Sequence, residues 1–207
     1  MKPLCATFVV AAAVSGCATT GPMSSFTLEE ATVASVQRAF STGALTCTQL
    51  TRLYIERIEA YNRRGPQLRA ILTVNPKAPE IAAEMDRRYK ANPSAVGPLH
   101  CIPVILKDNF NTADMPTTAG NVSMKDSIPP ADAFTVARMR KAGALILAKA
   151  NLQEFARGGM SVSSLGGQVP NPYNLTRTPG GSSGGTGAAI AANMGLLGTG
   201  SDTGQSI

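Results

Sequence analysis

The stretch Pro179-Gly180-Gly181-Ser182-Ser183-Gly184-Gly185-Thr186-Gly187 crowds glycines around two adjacent serines, and Gly200-Ser201-Asp202-Thr203-Gly204-Gln205-Ser206-Ile207 echoes it. Glycine admits positive φ and close approach of another backbone, at an entropic cost that an ordinary loop need not bear. A chain with two such stretches must fold so that backbone packs tightly against them. Placed together, they point to a site.

The segments around them read as an α/β fold. Ile102-Pro103-Val104-Ile105-Leu106 and Leu145-Ile146-Leu147-Ala148-Lys149 are apolar runs of the kind that form buried strands, the first with one early proline. A helix expected over about 133–142 lies between them, ended by Gly143, after a polar loop over 108–132. Shorter β-type runs are Ala70-Ile71-Leu72-Thr73-Val74 and Leu196-Leu197-Gly198-Thr199. Further helices are expected over about 27–41, opened by a capping box at Thr27-Leu28-Glu29-Glu30, and from Thr46-Cys47-Thr48-Gln49 to the Gly65-Pro66 stop. Two more follow, over about 79–90 and from Ala188 to Met194. Strand, helix and strand in alternation predict a mixed or parallel sheet flanked by helices. With 43% hydrophobic and 15% charged residues, the composition excludes a mainly disordered chain.

The first residues have a different character. Met1-Lys2, an apolar run from Leu4 to Val14, and Val14-Ser15-Gly16-Cys17 give a basic start, a short apolar core and a small-residue exit. The run is too short to span a membrane comfortably as a helix. The tetrapeptide ending in Cys17 resembles a bacterial lipobox, which implies a signal peptide over 1–16, cleavage before Cys17, lipidation of its sulfur and a membrane tether. Ordinary secretion to the periplasm or medium is the alternative. Residues 17–26 are then a small, polar linker, and residues 27–207 the folded part. With Cys5 in the signal and Cys17 lipidated, Cys47 and Cys101 remain, either as one bridge or as two buried thiols. A single histidine, His100, and no Cys-x-x-Cys argue against structural zinc.

The net charge is +6, but the 19 Lys and Arg are scattered, tryptophan is absent and aromatics make up 5%, so nucleic-acid binding is not expected. Phosphate cradling by the glycines fails on detail. Thr186-Gly187, not lysine and a hydroxyl residue, follows Gly185, and Asn171-Pro172-Tyr173-Asn174 rather than a strand precedes the stretch. Acyl transfer fits better, because a serine nucleophile needs a base and an uncluttered backbone aiming N–H groups at the oxyanion. Lys107 follows four apolar residues, and a desolvated lysine amine is freed to accept a proton.

Gly97-Pro98-Leu99-His100-Cys101-Ile102-Pro103-Val104-Ile105-Leu106-Lys107-Asp108-Asn109 and the two glycine-serine stretches, in this order, resemble the amidase signature family over about residues 27–207. Asn151-Leu152-Gln153-Glu154-Phe155-Ala156 and Asn171-Pro172-Tyr173-Asn174 are similar to its substrate-side loop. The resemblance implies a Ser-Ser-Lys triad of Ser206 (nucleophile), Ser182 (bridge, preceded by a cis peptide bond) and Lys107 (terminal base). It further implies Ser183 as a supporting hydrogen-bonder and the amides of Thr203, Gly204, Gln205 and Ser206 as the oxyanion hole. Asp202 is expected to cap its loop and His100 to be structural. The implied substrate is a small linear amide, with no cofactor and no metal; oligomeric state is unassigned. The family's cytoplasmic tRNA amidotransferase member is disfavoured by the export signal.

Three departures stand out. Gln205 and Cys101 occupy positions where the family ordinarily has glycine, and the sequence stops at Ile207 where family members continue. The expectation is that this polypeptide by itself is weakly folded and inactive, while a longer parent is an amidase. The rival expectation is a non-catalytic lipoprotein that keeps the scaffold for binding.

Overall fold

The computed structural model describes residues 26–204 and Ser206; the expected signal peptide, Cys17, the linker up to residue 25 and Gln205 lie outside the described residues. The first helix, α1 (Val33–Ser41), starts later than the sequence predicts. Its cap is Thr32, whose hydroxyl accepts from the Ser35 amide while the Ser35 hydroxyl accepts from the Thr32 amide. The acidic residues of the expected box are engaged elsewhere. Glu29 pairs with Arg57 at 2.9 Å, and Glu30, at φ +54°, donates its amide to the Asn193 side chain. The second helix, α2 (Cys47–Ile58), does use Thr46 and Gln49 as its reciprocal cap, and continues into a π-helical turn, Glu59–Arg63.

Next come β1 (Ile71–Val74), α3 (Ala78–Ala91), β2 (Pro103–Lys107), α4 (Phe134–Lys141) and β3 (Leu145–Ala150). Pro103 is tolerated because it opens its strand. A two-stranded hairpin, β4 (Val162–Ser163) and β5 (Gly167–Gln168), was not foreseen; two residues per strand leave no alternation to read. The helix after the glycine-serine stretch, α5 (Gly184–Ala191), begins four residues earlier than predicted and takes its first turn from the glycines themselves. The last strand, β6, is only Leu197–Gly198.

The main sheet has the order β1-β3-β2-β6, with β1 antiparallel to β3 and the other pairs parallel. This is the expected mixed α/β sheet. One core joins Ile105, Leu145 and Leu147 to Val36 and Phe40 of α1, Leu50 and Tyr54 of α2, Ala82 of α3 and Ala188 and Ala189 of α5. A smaller one joins Val104, Leu106 and Ile146 to Val136 of α4. The alternation of Val104 and Leu106 against Ile105 puts neighbouring residues into different cores, so both faces of β2 are covered. Fully burying a side chain such as Leu50 or Ile105 contributes about 1.5–3 kcal/mol.

Cys47 and Cys101 form a disulfide, with Cα atoms 5.7 Å apart, which decides between the two alternatives the sequence left open. It ties the start of α2 to the residue two before β2. His100 next to it stacks on Tyr89 and meets Phe40 edge-on, a structural place as expected. At the outer side of β1 the buried Asn62 side chain donates to the Ile71 carbonyl and accepts from the Ile71 amide, imitating a neighbouring strand.

Candidate active site

β2 lies inside the sheet and delivers Lys107 at its C-terminal end, the end of a parallel array where ligand sites gather. The strand is fixed there from the side: the Lys107 amide donates to the Thr199 hydroxyl just beyond β6. Its side chain is fully buried. The ammonium nitrogen lies 2.7 Å from Ser182 Oγ, 2.9 Å from Ser183 Oγ and 3.0 Å from the Ser201 carbonyl. The two glycine-serine stretches are thus brought together around one lysine.

Close packing explains the glycines. A Cβ on Gly185 would sit 1.9 Å from the backbone carbonyl oxygen of Asn151, at the end of β3. The missing side chain therefore lets α5 start against the sheet. Ser161, buried at φ +54°, donates its hydroxyl to the Gly180 carbonyl and accepts from the Gly184 amide, clamping both sides of the serine pair. The Gly181–Ser182 peptide is cis, as the resemblance implied. The Ser182 carbonyl accepts from the Gln153 amide.

Ser183 links the lysine to Ser206, the expected nucleophile. Its amide donates to the Ser206 carbonyl at 3.1 Å, and its hydroxyl donates to the same carbonyl. Ser206 is buried, and its amide donates to Asp202 Oδ1 at 2.9 Å, which makes Asp202 the loop cap foreseen. That amide, expected among the oxyanion donors, is aimed at a carboxylate here. Thr203 and Gly204 are exposed. Among the described residues no hydrogen bond joins the Ser206 hydroxyl to Ser182, so the structure brings Lys107 and Ser182 together but leaves the hydroxyl of Ser206, the expected nucleophile, without a link to Ser182.

Burial lowers the Lys107 amine from 10.5 to about 8, and the carboxylate of Asp202 opposes that shift without cancelling it. Once neutral, the amine has two protons and one lone pair. The Ser201 carbonyl can only accept, and the Ser183 hydroxyl has committed its own proton to Ser206, so both take protons from Lys107. The lone pair is left facing Ser182, whose hydroxyl donates into it. Such an arrangement withdraws a proton through Ser182.

Sequence reading missed a second buried lysine. Lys149 in β3 is fully buried and forms an ion pair with the equally buried Asp108 at 2.9 Å. Its signal was a lysine between alanines at the end of an apolar strand, to which the sequence reading gave no role.

The Amidase family profile matches residues 49–207. A glutamyl-tRNA(Gln) amidotransferase chain from Azoarcus is 42% identical over 178 residues, covering 86% of this chain and 36% of that protein. The crystal structure of the peptide amidase of Stenotrophomonas maltophilia superposes with a TM-score of 0.81 at 43% identity, over 86% of this chain and 37% of that one. An amidase family protein from Bacillus anthracis gives 0.80 at 33% identity, over 86% and 36%. The chain spans about a third of the length of the relatives it matches.

Proposed function

The chain belongs to the amidase family, and from that premise we propose that its serine–lysine cluster hydrolyses the C–N bond of small linear amides. The observation that carries this reading is the buried Lys107 amine, held by Ser182 and Ser183 and poised near neutral pH. Ser206 Oγ attacks the amide carbonyl carbon. Its proton passes to Ser182 Oγ as the Ser182 proton passes to Lys107 Nζ. The relay then runs backwards, protonating the leaving nitrogen; the C–N bond breaks and an acyl-Ser206 remains. Water, deprotonated by the same relay, releases the carboxylic acid and restores the serine. Backbone amides of the 203–206 turn stabilise the oxyanion, and freeing the Ser206 amide from Asp202 is part of reaching that state. Because the Ser206 hydroxyl and amide are not yet engaged in this way, the 207 residues by themselves turn over slowly. Export and a lipid tether at Cys17 complete the proposal, supported by the Met1–Cys17 pattern and by a disulfide of the kind that persists in oxidising compartments.

A fluorophosphonate probe tests the site without requiring turnover. We expect slow labelling of the folded chain at Ser206, abolished in Ser206→Ala and strongly reduced in Ser182→Ala. A folded chain that stays unlabelled, or labels equally well without Ser206, sinks the reading. Fast amide hydrolysis by residues 17–207 that Ser206→Ala abolishes overturns the slow-turnover part alone.

A further inference from the structure

The Lys149–Asp108 pair lies outside the relay just described, yet it is buried as deeply as Lys107 itself. Lys149 pairs with Leu106 across the β2–β3 ladder, while Lys107 pairs with Ala150, so the two lysines point to opposite faces of the sheet. The Lys149 ammonium uses its donors on Asp108 Oδ1 at 2.9 Å, Thr117 Oγ1 at 2.8 Å and the Pro116 carbonyl at 3.0 Å. Asp108 Oδ2 in turn accepts from the amide and the hydroxyl of Thr118. One ion pair therefore fastens the 116–118 segment under the end of β2.

The consequence runs along the backbone to the site. Asp108 immediately follows Lys107, and Asn109 follows Asp108. Asn109 donates its side-chain amide to Ser201 Oγ at 2.9 Å, and the Ser201 carbonyl is one of the three acceptors that orient the Lys107 amine. The Asp108 carbonyl accepts from the Ala119 amide, whose own carbonyl accepts from Phe155 in the loop wrapping Ser182. We propose that Lys149, through Asp108, is a positioning residue for the lysine base: it holds the turn after β2 so that Asn109 and Ser201 keep the Lys107 amine aimed at Ser182. The inference rests on the reading of Lys107 as the base. It asks for no contact between Lys149 and substrate.

Losing the pair loosens the turn, admits water and relieves the desolvation of Lys107, which raises its midpoint. Asp202 is the charged group acting on Lys107 from the facing loop, and neither substitution removes it.

The test is a pH titration of lysine side chains by NMR in the 207-residue chain labelled at Cε and Nζ, with Lys107 assigned through Lys107→Met. In Asp108→Asn combined with Lys149→Met, which leaves no unpaired buried charge and keeps an oxygen for Thr118, the Lys107 midpoint should rise by about half a pH unit or more, and the Asn109 side-chain amide signals should move. Should that variant not fold, Lys149→Arg reads the same two signals with the same expected direction, since a planar guanidinium cannot reproduce the three contacts. A folded variant that only melts earlier, with both signals unmoved, reduces the pair to scaffolding and overturns the proposal. Neither result depends on whether Ser206 takes a covalent probe, so failure of the hydrolase reading is separately visible.

Discussion

At the scale of single residues, the proposed relay turns on the protonation state of Lys107. Its amine is protonated below about 8 and neutral above, so probe capture at Ser206 should rise with pH through that value and then level off. Lys107→Met should flatten the profile and slow capture by about 100-fold or more, which labelling rates between pH 6 and 10 would check. Stability carries the same signature. The folded-state value lies below the ordinary 10.5, so between about 8 and 10.5 the unfolded chain holds the extra proton and folding is favoured increasingly as pH rises. Lysine at the end of an apolar run made Lys107 legible from the sequence. Lys149 has nearly the same surroundings and escaped, because what distinguishes it is a partner, Asp108, that only the β2–β3 ladder brings near.

At the scale of elements, legibility followed how local each determinant is. The strands β2 and β3 and the cap of α2 are set by neighbours in sequence and were read within a residue or two. The start of α1 was misplaced because Thr27 heads the box that the local pattern favours, whereas Thr32 and Ser35 form the cap and Glu29 and Glu30 are drawn to Arg57 and Asn193, distant residues no local rule can see. The start of α5 was hidden by glycines, poor helix formers whose use there is steric. That division of roles can be checked in one helix. Gly185→Ala forces a Cβ onto the backbone of Asn151 and should destabilise by about 1–3 kcal/mol or more. Gly187→Ala, with open space around it, should stabilise by about 0.5–1 kcal/mol. Opposite shifts of the urea midpoint are the expected result; equal ones would show that packing at Gly185 is not what selects glycine.

At the scale of the whole molecule, the disulfide closes a long loop between α2 and β2, and closing a loop of this length restricts the unfolded chain by about 4 kcal/mol in the entropic account. Stability of that kind presumes a compartment in which the bridge forms. The lipid tether proposed at Cys17 places the chain in one, and metabolic labelling with a radioactive fatty acid should mark the protein in a bacterial host and fail in Cys17→Ala. Label retained in that variant would remove the anchor from the proposal. The sheet adds a directional property. With Asn62 occupying the outward amide and carbonyl at the start of β1, that margin is blunted, whereas β6 presents its outer side, with Leu197 partly exposed, directly ahead of the Ser201 turn. The uncovered margin therefore runs directly into the turn whose Ser201 carbonyl meets the Lys107 amine, so the two margins of the sheet differ in how near they lie to that cluster.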